Sequence, residues 1–327
     1  MKLFIDANIY LRFYDSNSRQ FKKLLASLLE LKANIFVPAH IADEVRRNKL
    51  RVAIDSFSEY LKKLGMQKTN LPEHFDGLDN DKIKKWNTKR NNLISAEKSL
   101  ITNFTEIAEE IIESIMKSSD KVSMILEDLF EHSTIATEAE VFSAKRRKEL
   151  GNPPGKAEDP LGDQVSWEQL LSAYNGKEKL WLISNDHDYL DKYGEKCYLN
   201  AFLYRELASK SNTPPVIYCF NSLADGLMHF SKNSGYKVKE LPSQEVMEEI
   251  TVEESLVMKD FVASSNLVSV GYDPLTMTLE VEFHNGSIYQ YKNVLPEIYK
   301  GLVKASSVGA FFHEHIKKGG YPYIKLS

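Results

Sequence analysis

Short apolar runs, each closed by a polar residue, alternate with stretches of helical period along the first two-thirds of the chain. Leu3-Phe4-Ile5 is one such run, and Asp6 stops it. A run of this kind reads as a buried parallel strand. Phe21, Leu24, Leu25, Leu28 and Leu29 mark a helical stripe within Arg19–Leu31. Asn34–Val37 reads as a second strand, and strand, helix, strand within about forty residues is a βαβ unit with a parallel pair. Pro38 suits the first turn of a helix. That helix is expected to pass Ile41, Glu44 and Val45 and end near Leu64.

Gly65, Pro72 and Gly77 make residues 65–78 a loop. From Asp79 to about Leu150 there is no Gly or Pro. Leu100, Phe104, Ile107, Ile111 and Ile115 recur at spacings of four and three, as in a helix packed on another. Ser118-Ser119-Asp120 divides this stretch into two long helices. After the loop Gly151–Gly155, a helix is expected from near Pro160 to Tyr174, then a strand at Leu180–Ser184 capped by Asn185-Asp186-His187-Asp188. Cys197–Leu199 and Val216–Phe220 read as two more strands, with a helix near Ala201–Ser209 between them and another at Asn221–Ser231. The expected domain is α/β over residues 1–232, with a central parallel sheet and a helical insertion over 65–155.

A Glu-rich linker helix is expected within 233–261, and the period changes beyond it. Leu279, Val281 and Phe283 alternate with Glu280 and Glu282, Asn285-Gly286 is a hairpin turn signal, and Tyr289 and Tyr291 flank Gln290. Val294–Lys304 and Val308–Lys318 read as helices. Residues 262–327 therefore form a small α+β domain.

A net charge of −4 supplies no global field for a polyanion, which would need local basic patches or metal. The chain opens on a strand, without a signal-peptide pattern, and no run reaches the length of a membrane span. Cys197 and Cys219 lack a CxxC spacing and read as reduced core cysteines of a cytoplasmic protein. No GxxxxGK[ST] loop is present, which disfavours ATP hydrolysis. His313 and His315 are two apart on a predicted helix and point in different directions.

Four acids share one geometric logic. Asp6 and Asp186 follow the ends of strands, where ligands sit in open parallel sheets. Glu44 lies in the early turns of the helix after the second strand and borders its inward face. Asp163 lies four residues before Trp167, on the stripe of Trp167, Leu170, Leu171 and Tyr174. Asp159, before Pro160, reads as an N-cap. Two carboxylates about 4 Å apart repel by roughly 4 kcal/mol at an effective dielectric near 20. The cluster must take up protons, pair with bases or bind a cation. Hard oxygen ligands favour Mg²⁺ or Mn²⁺, which can drive phosphodiester hydrolysis. Arg46 and Arg47, one turn from Glu44, are the best candidates for phosphate contact. Residues 45–150 hold 19 basic and 18 acidic side chains, so the insertion is not basic overall.

Phe4-Ile5-Asp6-Ala7-Asn8, Ala42-Asp43-Glu44-Val45, Leu161-Gly162-Asp163 and Leu182-Ile183-Ser184-Asn185-Asp186-His187-Asp188-Tyr189 resemble, in order, the motifs of PIN-domain nucleases. The resemblance spans roughly 1–232. It implies a three-layer α/β/α sandwich and a metal-dependent ribonuclease that prefers single strands and leaves 5′-phosphate and 3′-hydroxyl ends. It also implies that Asp6, Glu44, Asp163 and Asp186 are the catalytic, metal-binding acids. Asn8 and Ser184 would orient metal-bound water or an acid, with Asp188 in support. The long gap between Glu44 and Asp163 is similar to that of a larger subgroup whose third motif is Gly-Asp followed by Trp, here Gly162, Asp163 and Trp167. A bacterial toxin or anti-phage effector is the context that this type of protein suggests.

Val270-Gly271-Tyr272-Asp273, Tyr289-Gln290-Tyr291, Ala305-Ser306-Ser307-Val308-Gly309 and Tyr321-Pro322 resemble the KTSC domain, a module named for its place at the C-terminus of some lysyl-tRNA synthetases. His313 stands where that pattern usually has Asn. The resemblance implies contact with RNA, tRNA among it, or with a protein partner or regulator. Tyr272, Tyr289, Tyr291 and Tyr323 are read as core ahead of base stacking. Self-association as a homo-oligomer is left open. Rival readings are a nucleic-acid-binding or scaffold protein with a vestigial site, a DNA-cleaving nuclease, and a HAD-like phosphatase. The last needs an acid where Asn8 stands.

Overall fold

Leu3, Phe4 and Ile5 are buried in β1 (Lys2–Ile5), an inner strand of a four-stranded parallel sheet. The sheet also holds β2 (Ile35–Phe36), β3 (Leu180–Ile183) and β6 (Ile217–Phe220), in the order β2-β1-β3-β6. Phe4 stands opposite Phe36 and Leu182, and Leu182 opposite Cys219. All four residues of β3 are buried, and an inner parallel strand covered on both faces needs just such an unbroken apolar run. The computed structural model describes residues 2–15, 20–64, 81–155, 161–193, 196–257, 260–261, 267–273, 277–283, 287–305 and 307–325. The loop expected at 65–78 and the cap expected at Asp159 lie outside them.

The strand order reverses between β1 and β3, so their carboxyl ends flank a topological switch point. Helix α1 (Ala7–Asp15) starts immediately after β1, buries Ile9, Tyr10 and Phe13, and was not anticipated from the sequence. A 3-10 turn at Phe21–Lys23 leads into α2 (Leu24–Glu30), shorter than the stripe suggested. Helix α3 (Ala39–Leu64) follows β2. Helices α7 (Gly162–Ala173), α8 (Ala201–Ala208) and α9 (Leu223–Asn233) lie close to their expected places. Gly226 lets α9 approach the sheet: a Cβ there would stand 2.4 Å from Ile183 Cδ1. The strand expected at Cys197–Leu199 is not in the parallel sheet. It is β5 (Lys196–Leu199), the second arm of an antiparallel hairpin with β4 (Leu190–Tyr193).

The insertion holds three helices where two were expected: α4 (Asp81–Met116), α5 (Lys121–Phe130) and α6 (Glu138–Glu149). Asp120 caps α5, accepting from Ser123 N at 3.0 Å. The second break is a capping box, in which Thr137 and Glu140 satisfy each other's backbone N–H groups. Between α5 and α6 the chain touches the sheet edge. Thr134 N donates to Val37 O at 2.9 Å, and its own carbonyl accepts from Ala39 N and from Gln169 of α7. The expected helix-packing stripe of α4 is only partly used. Ala108 and Ile115 are buried and Phe104 packs on Phe57 and Tyr60, whereas Leu100, Ile107 and Ile111 are exposed.

Buried Arg147 ties the end of the insertion to the sheet domain. It donates to Glu168 of α7, to both carboxylate oxygens of Glu206 on α8, and to Pro153 O, at 2.6–3.0 Å. Trp167 Nε1 donates to the same Glu206 at 2.8 Å.

The chain divides into two compact units, Met1–Pro242 and Ser243–Ser327. The second unit begins with α10 (Gln244–Val257) and holds an antiparallel sheet in the order β11-β10-β9-β8-β7. Its strands are Asp260–Phe261 (β7), Leu267–Asp273 (β8), Thr278–Phe283 (β9), Ile288–Tyr291 (β10) and Tyr323–Lys325 (β11). Helices at Pro296–Lys304 and Val308–Phe311, the latter running on as a π-helix over Phe312–Lys317, supply Leu302, Val308, Phe312 and Ile316 to its core. The turn expected at Asn285-Gly286 lies outside the described residues. Tyr272 and Tyr291 are buried, as expected of core, while Tyr323 is exposed.

Removing one partner of a buried, hydrogen-bonded ion network leaves uncompensated charge and costs about 3–5 kcal/mol. Arg147→Met should therefore lower the unfolding free energy by about that amount in a urea titration, and Glu168→Gln in the same chain should recover part of it. A loss below about 1 kcal/mol would mean that the network does not hold the insertion to the sheet.

Candidate active site

Asp6 is the innermost acid. Its backbone N–H continues the ladder by donating to Ile183 O at 3.0 Å, and its side chain is 6% exposed. Oδ1 accepts from Ala7 N at 2.8 Å, while Oδ2 accepts from Asn8 Nδ2 at 2.8 Å and Ser184 Oγ at 2.5 Å. Even so, burial pushes its carboxyl up to about 7, with Asp186 and Glu44 adding to the rise and the bonds from Ser184 and Ala7 opposing it. Desolvation outweighs two charge-stabilising hydrogen bonds.

The loop after β3 is folded around this carboxylate. Ser184 Oγ donates to Asp6 and accepts from Asp186 N at 3.0 Å. Asp186 Oδ1 then accepts from Asp188 N at 2.8 Å, a turn that aspartate side chains favour. Asn8 Oδ1 lies 3.5 Å from Asn185 N, so Asn8 and Ser184 link the loops that leave the two central strands. The supporting places expected for Asn8, Ser184 and Asp188 are thus beside Asp6 and Asp186.

Asp163 stands in the first turn of α7, half-buried. Its carboxyl is pushed up to about 8, by burial first and then by the charges of Asp6, Asp186, Glu44 and Asp188. No hydrogen-bond donor or base among the described residues reaches that carboxylate. Its backbone carbonyl accepts from Tyr189 Oη at 3.2 Å, and the Tyr189 ring is buried between Phe4 and Trp167. Glu44 is also raised, by burial and by Asp186, with Arg47 opposing. The four acids read from the sequence therefore act on one another in the folded chain.

The two arginines part company. Arg46 is bound to Glu127 at 2.6 Å and to Asp43 at 3.0 Å, so its guanidinium is committed to carboxylates rather than offered to a phosphate as expected. Arg47 is the one whose charge reaches Glu44 and His40. His40 was missed. It precedes Glu44 by four residues, its Nε2 lies 3.9 Å from Glu44 Oε2, and a Cβ at Gly162 would stand 1.7 Å from it. Gly162 is thus required for the imidazole to sit against the first turn of α7. The i, i+4 spacing from Glu44 was the available signal. Burial and Arg47 hold His40 below its usual range, hence neutral near pH 7.

Hard oxygen donors with unmatched charge fit a divalent cation in their chemistry. Asp163 carries that fit, being a half-buried carboxylate without a donor in the field of four other acids. The side chains are not gathered at ligand distance: among the described residues no three or more His, Cys, Asp or Glu are grouped to hold a metal ion. No helix of the described residues is long and apolar enough to cross a membrane.

Comparison with known proteins gives matches to both parts of the chain. A family model described as a KTSC domain matches residues 263–321. An uncharacterized protein of Stutzerimonas stutzeri (strain A1501) is 43% identical over 63 residues, 19% of this chain and 89% of that protein. A lysine–tRNA ligase of Nostoc sp. is 45% identical over 56 residues, which are 17% of this chain but 10% of the ligase. A solved KTSC domain protein from Yersinia pestis is 34% identical, covers 21% of this chain and 97% of its own, and has a TM-score of 0.21. A PIN domain model matches residues 3–189, more than half of the 327, and spans all four acids. The chain belongs to the PIN domain family, a family of nucleases, and carries a KTSC domain over 263–321.

Proposed function

We propose that this protein is a divalent-metal-dependent ribonuclease in which Asp6, Glu44, Asp163 and Asp186 hold Mg²⁺ or Mn²⁺ at the switch point between β1 and β3. The observation that carries the reading is Asp163, whose carboxyl no donor satisfies and which three other acids of the set push toward its neutral form. A bound divalent cation supplies Lewis-acid polarisation of a phosphodiester and neutralises charge as the leaving oxygen departs. The residues of the chain prepare the place. Ser184 and Asn8 fix the Asp6 carboxylate, so its orientation costs nothing at the moment of binding. Arg47 offers positive charge beside Glu44 to a substrate phosphate. RNA is the proposed substrate, supported by the segment shared with a lysine–tRNA ligase, and tRNA is the first RNA to test.

Asp6→Asn and Asp163→Asn each remove a ligand charge while keeping shape. Either should lower RNA cleavage by at least about 100-fold in a gel assay with Mn²⁺, with the circular dichroism spectrum unchanged. EDTA should abolish wild-type cleavage. Activity that survives both the chelator and Asp6→Asn would sink the metal–carboxylate mechanism, and cleavage of single-stranded DNA in place of RNA would reassign the substrate.

The metal-free protein should also lose stability as pH rises. Folded carboxyls near 7 for Asp6 and 8 for Asp163 exceed the ordinary 3.8, so the folded chain holds protons that the unfolded chain has released. The resulting advantage is complete below about pH 4 and disappears through pH 8, at up to about 1.4 kcal/mol per pH unit for each titrating group. A cation replaces those protons. The rise in melting temperature on adding Mn²⁺ should therefore grow between pH 5 and 8, and Asp163→Asn should flatten that growth. A metal effect of equal size at pH 5 and 8 would contradict the site.

A further inference from the structure

The insertion is slightly acidic overall, with 13 basic and 16 acidic side chains over residues 65–155, but its longest helix is polarised along its length. Residues 81–100 of α4 hold six bases (Lys82, Lys84, Lys85, Lys89, Arg90, Lys98) and two acids, Asp81 and Glu97. Residues 101–116 hold four acids (Glu106, Glu109, Glu110, Glu113) and no base. The halves therefore carry +4 and −4. This order opposes the usual preference for acids at a helix N-terminus and bases at its C-terminus, so the charge is not there to stabilise the helix itself.

Along the same helix runs an apolar row that nothing described in the structure covers. Leu93, Leu100 and Ile107 fall seven residues apart, with Ile111 one turn further, and they are 51%, 54%, 56% and 40% exposed. A seven-residue repeat is the spacing that keeps one row against a second helix. Helix α3 packs along the flank of this row, on Phe104, which falls between Leu100 and Ile107, and the buried positions Ala108 and Ile115 lie on the same flank. Beside the row, at the same repeat, stand Lys82, Lys89, Ala96, Asn103 and Glu110, basic at one end and acidic at the other. Glu106, Glu109, Glu110 and Glu113 also line a concavity with Ser114, Ser119 and Lys117, the last of which pairs with Glu113 at 2.8 Å. Lys85, Lys89, Glu106, Glu109 and Glu110 make no ion pair among the described residues.

We infer that α4 is a self-association surface on which a second copy of this chain docks its own α4 antiparallel. At 1.5 Å per residue its 36 residues span about 54 Å. A two-fold axis near the midpoint, between Lys98 and Ser99, lays each basic half along the partner's acidic half and overlaps the two apolar rows over residues 93–104. A parallel arrangement sets like charge on like and is disfavoured. The surface is self-complementary only when reversed, as an isologous two-fold contact demands. An RNA strand would use the basic half alone and leave the apolar row and the acidic half without a partner.

Sedimentation equilibrium of the full chain tests this at about 150 mM salt, where exposed charges more than about 8 Å apart are largely screened. The wild type should be a dimer below about 100 µM. Lys85→Glu with Lys89→Glu, and separately Glu106→Lys with Glu110→Lys, should each weaken self-association at least about 10-fold through like-charge repulsion. An equimolar mixture of these two variants should dimerise again, which an unfolded helix could not do. Leu100→Ser with Ile107→Ser should give a monomer with an unchanged circular dichroism spectrum. A wild-type monomer at 100 µM, a dimer indifferent to the charge variants, or a mixture that stays monomeric would each overturn the inference. So would a monomer in which the Lys85 and Lys89 substitutions alter only affinity for RNA.

Discussion

The constraint on which the rest of the first unit depends is the burial of Asp6 at the end of β1 with other acids around it. A carboxyl out of water is costly to ionise, and Asp186 and Glu44 make it costlier. Ser184, Asn8 and the Ala7 amide offset part of that cost with three hydrogen bonds. They also fix the loops on either side of the switch point. Carboxylates assembled this way are poised between taking up protons and taking up a cation, and the energetic conflict is what makes the place chemically useful.

The scaffold reaches Asp163 from the opposite side. Tyr189 grips the carbonyl of that residue, and the buried Trp167 one turn further on is bonded to Glu206. Arg147 binds Glu206 and Glu168 together, so the end of the insertion fixes the helix that presents the third acid. The insertion is therefore not an appendage on the fold. Its segment at Thr134 hydrogen-bonds the chain entering α3, which presents Glu44, and accepts from α7, which presents Asp163. The same insertion carries the polarised surface of α4, so the element that supports the acids also offers a means of joining two copies.

Local chemistry explains which parts were legible and which were not. The inner strands were readable because burial on both faces demands apolar runs, and the acids because they end those runs or fall on a buried stripe. Helix α1 was overlooked because Asp6 ends the strand and opens the helix at once, with no loop residues between them. The third insertion helix had a local sign, Thr137 followed by Glu140 at capping-box spacing, in a stretch with no Gly or Pro to draw attention to it. Cys197–Leu199 has the composition of a strand in either setting, and only its pairing with Leu190–Tyr193 takes it out of the parallel sheet.

What the sequence determined by itself is most of the elements and the edge at which their acids stand, because period, caps and strand ends are local properties. Tertiary structure decided the electrostatics. That Arg46 is committed to Glu127, eighty-one positions away, follows from how α5 meets α3, whereas Arg47 stands beside Glu44 by helical spacing alone, three residues on. That His40 rests on Gly162 follows from how α3 meets α7. Desolvation and charge–charge energies depend on distances between residues remote in the chain, and no periodicity encodes those distances.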